Sequence, residues 1–338
     1  MGESLRQQQW RRFKTNARGF WSLWIFLVLF VLALLAEVIA NDKPILVYHQ
    51  GQFYFPVFKM YTEVELGGQF ETEADYRDPY LINLIRDSGG WMVWPPVRFS
   101  YRTVNYDLPT AAPSPPTGEN WLGTDDQGRD VVARLIYGFR ISVLFGLALT
   151  AISVTVGTIA GALQGYFGGW TDLLFQRVIE IWSGLPTLFL LIILASFVEP
   201  NFWWLLGIMA LFSWIGIVGV VRAEVLKTRK QDYVKAARAL GVREPVILFR
   251  HILPNSIVAA LTFLPFMLNG AITTLTSLDF LGFGLPPGSA SLGELLAQGK
   301  NNLQAPWLGM TAFMVLAVML SLLIFIGEAV RDALNPKK

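Results

Sequence analysis

The sequence predicts an all-helical integral membrane protein with six transmembrane helices and an inserted subdomain outside the membrane. Hydrophobic residues make up 53% of its 338 residues and charged residues only 15%, whereas soluble domains have about 25% charged residues. Six uncharged runs of 18 to 27 residues follow one another along the chain. Each run matches the roughly 20 apolar residues that a helix needs to cross the bilayer hydrocarbon.

The six predicted spans cover residues 19–36, 141–161, 181–198, 201–221, 252–278 and 303–327. The last two exceed the minimum length, so we expect them to tilt or to extend beyond the hydrocarbon. A cleaved signal peptide is an alternative for the first run, but its apolar stretch is longer than a signal core, which favours an uncleaved anchor. The chain thus divides into a basic N-terminus (1–18), a first helix (19–40), an insertion (41–120) and a five-helix core (121–338).

Basic residues predict the orientation of these spans. With the N-terminus inside, 17 Lys and Arg fall on the cytoplasmic side, and the short external loops hold only Lys300. Short cytoplasmic loops carry an excess of Lys and Arg, whereas long segments translocate largely regardless of charge. We therefore expect both termini in the cytoplasm and the insertion outside it.

The insertion is rich in aromatic residues and closes in a proline-rich linker, and the alternation at Gln52–Phe55 predicts strands. It admits two interpretations. One is a docking surface for a soluble partner, and the other is a small cap whose aromatic residues form a core, which we favour slightly. From 41 to 116 it holds nine acidic residues against six basic ones, an excess that would steer a basic partner towards it.

The loop at 222–250 contains a short amphipathic helix, predicted at about 231–242. Helical spacing places Val234, Ala237 and Leu240 on one face, and Gly241 is a natural C-terminal stop. Such a helix either lies on the membrane surface or serves as a peg for a cytoplasmic partner. Pro254 follows near the first turn of the fifth span, where its missing N–H costs nothing.

Several kinds of chemistry are excluded by the residues themselves. The chain has no Cys and two His, so thiolate catalysis and Cys-based metal sites are excluded. The six runs hold no ionisable residue, which argues against ion-coupled transport. The chain has no phosphate-binding loop of its own, so any energy that it uses must come from elsewhere. We expect Asp125, Asp126 and Asp130 to form a structural turn rather than a metal site, and a net charge of +2 gives no sign of a nucleic-acid partner.

One motif resembles a known family. Lys235-Ala236-Ala237, three residues, Gly241, nine residues and His251-Ile252-Leu253-Pro254 resemble the EAA loop of permease subunits in bacterial ABC importers. Lys235 replaces the Glu of the general motif and His251 replaces its Ile, which is similar to the dipeptide and oligopeptide branch. In that family the loop is the coupling helix that sits in a groove of the ATPase. The resemblance assigns this role to Tyr233, Lys235, Ala236, Ala237, Leu240, Gly241, His251 and Pro254.

A second stretch before the second span looks like the corresponding external segment of the same branch. Its matching residues are Gly123, Thr124, Asp125, Gly128, Arg129 and Asp130. The insertion is longer than this branch usually carries, and in this respect the chain resembles the Yej-type subfamily of peptide and microcin C importers.

The resemblance implies a type I ABC importer permease in the bacterial inner membrane, forming half of a translocation pore for peptides or peptide-like compounds. It implies four kinds of partner: a homologous second permease subunit, two cytoplasmic ABC ATPase domains, a periplasmic substrate-binding protein and membrane lipid. The chain would bind no cofactor and catalyse no reaction, with ATP and Mg on the ATPase. The alternatives are a membrane-anchored receptor or scaffold with an external binding domain, and a substrate-gated channel.

Overall fold

The computed structural model of the chain describes residues 5–195, 197–198 and 201–334. The ends of the predicted N-terminus and core, residues 1–4 and 335–338, lie outside the described residues. The helices are α1 (Leu5–Thr15), α2 (Ala17–Leu34), α3 (Ala36–Ile39), α4 (Pro79–Asp87), α5 (Val131–Phe167), α6 (Gly169–Ser183), α7 (Thr187–Ala195), α8 (Phe202–Ser213), α9 (Ile215–Thr228), α10 (Asp232–Ala239), α11 (Glu244–Val246), α12 (Leu253–Leu281), α13 (Leu292–Asn301) and α14 (Pro306–Leu334). The strands are β1 (Leu46–His49), β2 (Gln52–Tyr54) and β3 (Trp91–Val93).

In the described part of the chain, five helical segments are long and apolar enough to cross a membrane. They are Ala17–Leu34, Val131–Phe167, Phe202–Thr228, Glu244–Leu281 and Pro306–Leu334. A sixth is obtained when the bent pair Gly169–Ser183 and Thr187–Leu194 is counted as one span. The prediction of six spans agrees with this count, although several boundaries differ.

The second span is the largest difference, since α5 has 37 residues and begins ten residues before the predicted start at Ile141. Arg134 and Arg140 precede the uncharged run, so the sequence predicts that the span begins after them. In the structure each has an acidic partner: Arg140 Nη1 lies 2.8 Å from Glu37 Oε1, and Arg134 Nη2 lies 2.9 Å from Glu294 Oε2. Pairing allows charged side chains to be accommodated within the helix.

The third span is broken rather than straight. Its two helices meet at an angle of 63° across Gly184, Leu185 and Pro186. Proline has no N–H to donate and disfavours helical geometry in the residue before it, so the chain leaves the helix at this point.

The fifth span begins earlier than its predicted start at Ile252. A π-helical turn, Ile247–Ile252, joins α11 to α12, so the apolar segment runs from Glu244. Pro254 is in the first turn of α12, as predicted, but this turn continues the preceding helix. Widened π turns are a common way of fitting an irregularity into a helix.

The long helix α5 lies at the centre of the bundle, in contact with α2, α8, α9, α12 and α13. Gly157, Gly161 and Gly165 lie at intervals of four residues on the face that packs on α9. A Cβ atom at Gly161 would lie 2.7 Å from the carbonyl oxygen of Val218. Small residues at this spacing let two helix backbones approach closely.

The insertion has its own small core and an antiparallel sheet in the order β2-β1-β3. The predicted strand at Gln52–Phe55 is confirmed as β2. The core side chains come from β1, α4 and the connections between them: Val47, Leu66, Ala74, Tyr76, Leu81 and Ile85.

Most phenylalanines of the insertion do not belong to that core. Phe53, Phe55, Phe58 and Phe70 are between 47% and 72% exposed. The interpretation that the aromatic residues form the core of a cap is therefore wrong for these four, because aliphatic side chains fill most of the buried centre.

Candidate functional site

The helix α10, Asp232–Ala239, contains four of the eight predicted coupling residues: Tyr233, Lys235, Ala236 and Ala237. It ends as the sequence predicts, because Gly241 adopts a left-handed conformation with φ of 73°. The Val242 N–H donates to the Ala237 carbonyl at 3.1 Å and the Gly241 N–H to the Arg238 carbonyl at 3.0 Å. This hydrogen-bond pattern closes the last turn and favours glycine at that position.

One face of α10 is packed on the ends of the membrane helices. Val234 is fully buried and Ala237 is 9% exposed. They join a cluster that includes side chains from α5, α9, the π turn and α12, among them Tyr166, Val225, Ile247, Leu248 and Ile252. The helix thereby shares one buried cluster with the second, fourth and fifth spans, and it packs most closely on the π turn at the start of the fifth.

The opposite face of α10 is exposed and contains Lys235, Ala236 and Ala239. Leu240 is 84% exposed, so the prediction that it shares the face of Val234 and Ala237 is wrong. Leu240 still closes the last turn, since its N–H donates to the Ala236 carbonyl at 3.0 Å, but it stands at the very end of the helix, where its side chain is left uncovered. Ala237, in contrast, is buried against its own chain and is therefore not available to a partner.

Polar side chains fix the position of α10 on the bundle. Arg238 Nε lies 2.9 Å from Glu244 Oε1, and Tyr166 of α5 also donates a hydrogen bond to Glu244. At the other end of the helix, Asn255 of α12 donates to the Tyr233 hydroxyl at 2.9 Å. The predicted residue Tyr233 therefore positions the helix, whereas Lys235 forms an ion pair with its exposed neighbour Asp232.

Exposed apolar residues after α10 extend this surface, and sequence reasoning missed them. Phe249 is 66% exposed and Val246 is 41% exposed. Together with Pro245, Arg250 and the predicted residue Pro254, they line a shallow cavity of about 530 Å³. The sequence does contain a signal for this surface, namely the apolar run 246–249 within a charged loop. Only Ile247 and Leu248 of this run are buried. His251 is half-buried beside this cavity.

The second predicted motif forms a buried ion-pair cluster at the start of α5. Asp125 Oδ1 accepts hydrogen bonds from the backbone N–H groups of Gln127 and Arg129, both at 2.9 Å. Its Oδ2 lies 2.6 Å from Arg129 Nη2 and 3.3 Å from Arg134 Nε. Because its carboxylate is engaged in this way, Asp125 acts as the centre of a structural turn.

This cluster joins distant parts of the chain. Glu294 of α13 lies 3.1 Å from Arg129 Nη2 and 2.9 Å from Arg134 Nη2. Arg134 also donates to the carbonyl oxygens of Ser289, at 2.8 Å, and Tyr101, at 3.3 Å. The motif therefore connects the end of the insertion, α5 and the segment before the sixth span.

The remaining residues of the motif shape the approach to α5. Gly123 and Gly128 both have positive φ, at 74° and 79°. The Thr124 hydroxyl accepts from the Ser114 N–H at 2.9 Å. Asp130 caps α5, since its Oδ1 accepts from the Ala133 N–H and its Oδ2 from Asn120 Nδ2, each at 2.8 Å. Burial raises the pKa of the Asp130 carboxyl, and these hydrogen bonds oppose that shift.

A cavity of about 520 Å³ lies among the membrane helices α5, α7, α8, α9 and α12. Its apolar wall carries five hydroxyl groups, those of Thr150, Ser153, Thr187, Ser213 and Thr274, and none of the described residues that line it is ionisable. The hydroxyls of Ser153 and Ser213 are hydrogen bonded to each other.

The fold is a bundle of apolar helices with a short helix held at one end. The sequence matches the family described as the binding-protein-dependent transport system inner membrane component over residues 153–338. Residues 4–54 match the N-terminal transmembrane domain of oligopeptide transport permease C. The chain belongs to this family of binding-protein-dependent transport permeases.

Particular relatives resemble it over almost its whole length. It is 62% identical over 332 residues to the inner membrane ABC transporter permease protein YejE of Escherichia coli K12, covering 98% of this chain and 97% of the relative. It is 58% identical over 356 residues to the peptidoglycan transport system permease protein YejE of Agrobacterium fabrum, covering 98% and 93%. The oligopeptide transport system permease protein OppC of Haemophilus influenzae is 36% identical over 240 residues, covering 71% and 77%.

These similarities confirm the predicted resemblance to the dipeptide and oligopeptide branch and to its Yej-type subfamily. The relatives are permeases, so the alternative of a membrane-anchored receptor or scaffold is not favoured.

Proposed function

We propose that this chain is one of two permease subunits of an ATP-driven importer of peptides or peptide-like compounds. The observation that carries the proposal is the geometry of α10, whose inner face lies in a buried cluster shared with three spans while its outer face is exposed. A helix held in this way transmits a displacement of its outer face directly to the spans. The outer face, with Leu240 84% exposed at its end, is the surface on which we place an ATPase domain.

The hydroxyl-bearing cavity among the spans supports a role in translocation. Side chains such as Thr150, Ser153 and Thr274 offer hydrogen bonds to a peptide backbone without the cost of burying a charge. A path lined in this way binds many sequences weakly, as a permease for varied peptides requires. The relatives' names support the class of substrate, since one is an oligopeptide permease and another a peptidoglycan permease. The direction, import, follows from the family resemblance.

The proposed orientation places both termini and α10 in the cytoplasm, with the insertion and α13 in the periplasm. It rests on the excess of Lys and Arg in the segments on the α10 side. In this orientation the substrate-binding protein docks on the insertion side, and a homologous second permease completes the pore. ATP and Mg bind to the ATPase alone.

Cross-linking tests the proposal because the chain has no cysteine of its own. We expect Leu240→Cys, carrying a photoactivated benzophenone in the assembled transporter, to form an adduct with the ATPase subunit. Ala111→Cys is the matched control, since Ala111 is exposed and lies in the insertion. An ATPase adduct from Ala111→Cys, or none from Leu240→Cys, would contradict the proposed coupling surface.

A further inference from the structure

A cleft in the insertion combines side chains of unusual composition. It has a volume of about 730 Å³ and lies between α4, β3 and the segment that leads to α5. Its wall includes Arg77, Arg86 and Arg98 and the indoles of Trp91, Trp94 and Trp121. These are all three of the tryptophans between residues 41 and 121, and three of the six basic residues between 41 and 116. Half of the basic residues of an acidic subdomain, and all of its tryptophans, therefore lie around one cavity.

The arginines of this cleft are not engaged in structural ion pairs. Among the described residues, no hydrogen bond or salt bridge is made by the guanidinium of Arg77, Arg86 or Arg98. Arg77 stacks over Phe99 at 4.4 Å, and Arg98 lies 5.7 Å from the Trp94 ring centroid. Stacking holds a guanidinium in place and leaves its N–H groups free to bind an anion.

The tryptophans of the cleft are similarly available. Trp91 is 47% exposed and Trp121 is 54% exposed, whereas the floor includes the buried side chains of Ile85 and Phe99. Large aromatic rings that remain open at a concave surface are typical of binding sites. The volume also lies within the range of roughly 300–1,000 Å³ that small-molecule sites occupy.

Glu119 adds a carboxylate to the described residues that line the cleft with the three arginines. The Glu119 carboxylate would not help to bind a simple anion. A ligand that carries a cationic end as well as anionic groups would match both the carboxylate and the arginines. A short peptide with a free amino terminus has this pattern of charges. Its carboxylates fit the guanidinium groups, which bind them in a bidentate manner, and its apolar side chains fit the indoles.

We propose that this cleft binds a short acidic peptide that has a free amino terminus and an aromatic side chain. The choice of a peptide rests on the proposed function. The cleft is a site on the permease chain itself, separate from the cavity among the spans. Arg86 and Arg98 bind the carboxylates, Glu119 binds the terminal ammonium group, and Trp91 and Trp121 contact the side chains.

Calorimetric titration of the purified full chain in uncharged detergent tests this proposal. The probe is the tetrapeptide Ala-Phe-Asp-Glu with both termini free, compared with the amidated Ala-Phe-Asn-Gln. We expect the acidic probe to bind at least tenfold more tightly, with an affinity that falls as salt rises. The double variant Arg86→Gln with Arg98→Gln should lose at least tenfold. Arg102→Gln, a change of a basic residue outside the cleft, should bind as the unchanged chain does.

Glu119→Gln separates a peptide site from a general anion site. It should weaken binding of the free peptide severalfold and leave the N-acetylated peptide unaffected. Three outcomes would overturn the inference: equal affinity for both tetrapeptides, unchanged binding by the arginine double variant, or competition by inorganic phosphate as effective as that by the peptide. Uptake by the assembled transporter reports the proposed function separately, so intact peptide uptake without binding to the cleft would refute this inference alone.

Discussion

Arg222 of α9 holds Asp172 of α6 through two parallel hydrogen bonds, Nε to Oδ1 and Nη2 to Oδ2, each 2.6 Å long. The pair joins the first half of the broken third span to the end of the fourth span. It lies close to α10 along the chain, since α9 leads into that helix.

We expect Asp172→Asn to lower stability by about 1–2 kcal/mol, because a charge-assisted pair becomes a neutral one. Arg222→Lys should cost a similar amount, since an ammonium group cannot reproduce the two-pronged geometry. Apparent melting temperatures in detergent measure both. Glu180→Gln is the matched control: Glu180 and its partner Arg177 are 56% and 73% exposed, so it should have almost no effect. Equal shifts for the two sites would contradict this prediction.

Ala237 and Leu240 should respond oppositely to substitution. Ala237→Trp should reduce stability, because the side chain enters a packed cluster where overpacking costs about 1–3 kcal/mol. Leu240→Asp should leave the melting temperature unchanged and abolish transport, because it places a charge on the exposed surface proposed to meet the ATPase. Melting curves and uptake assays measured on the same preparations distinguish the two. Normal uptake by well-expressed Leu240→Asp would refute the coupling role of this residue.

Gly161→Leu should separate α5 from α9, since even a Cβ atom would lie 2.7 Å from the Val218 carbonyl oxygen. We expect a loss of several kcal/mol and poor yield of folded protein. Gly219→Leu is the matched control in α9, because a Cβ there meets no atom within 4 Å. Size-exclusion profiles of both variants would show the difference, and similar profiles would argue against close packing at Gly161.

The carboxyl group of Asp130 makes the free energy of unfolding depend on pH. Burial raises its pKa in the folded chain above the unfolded value of about 3.9, so the protonated form is favoured by folding. The stabilisation that protonation gives is therefore present below the unfolded pKa and is lost as pH rises through the folded pKa. Asp130→Asn keeps a capping acceptor without a charge. Its stability relative to the unchanged chain should increase as pH rises from about 4 and then level off.

Asp130→Ala is the control for the cap. It removes the acceptor for the Ala133 N–H and leaves Asn120 without its partner, so we expect a loss of about 1–2 kcal/mol at every pH. Asp130→Asn behaving like Asp130→Ala would show that one acceptor oxygen is insufficient and that both carboxylate oxygens are required, one for Ala133 and one for Asn120.

Cysteine labelling checks the orientation. Ala111, Asn301 and Ala239 are all exposed, the first two on the insertion side and the third on α10. In intact spheroplasts an impermeant thiol reagent should label Ala111→Cys and Asn301→Cys, and should label Ala239→Cys only after the membrane is broken. Thr228 is unsuitable for this purpose, because it is 4% exposed and a cysteine there would react slowly on either side. Labelling of Ala239→Cys alone in intact cells would reverse the assignment.

Local sequence patterns predicted those structural elements that are determined by residues close to one another in the chain. The apolar runs located the spans, and Gly241 located the end of α10 because its left-handed turn needs no distant contact. The early start of α5 could not be predicted in this way, since it depends on Arg134 meeting Glu294, 160 residues away. Nor could the exposure of Leu240, which depends on where the helix ends, or the arginine cleft, which the folding of the insertion assembles from separate segments.

The length of α5 has a mechanical consequence. At 1.5 Å per residue its 37 residues form an unbroken rod about 55 Å long. One end begins beside the Asp125 cluster, and Tyr166 near the other end contacts Glu244 beside α10. A tilt of about 10° about its midpoint would move each end by about 5 Å in opposite directions. A displacement of α5 at the end near α10 would thus produce an opposite displacement at the end beside the Asp125 cluster, without a hinge between the two ends.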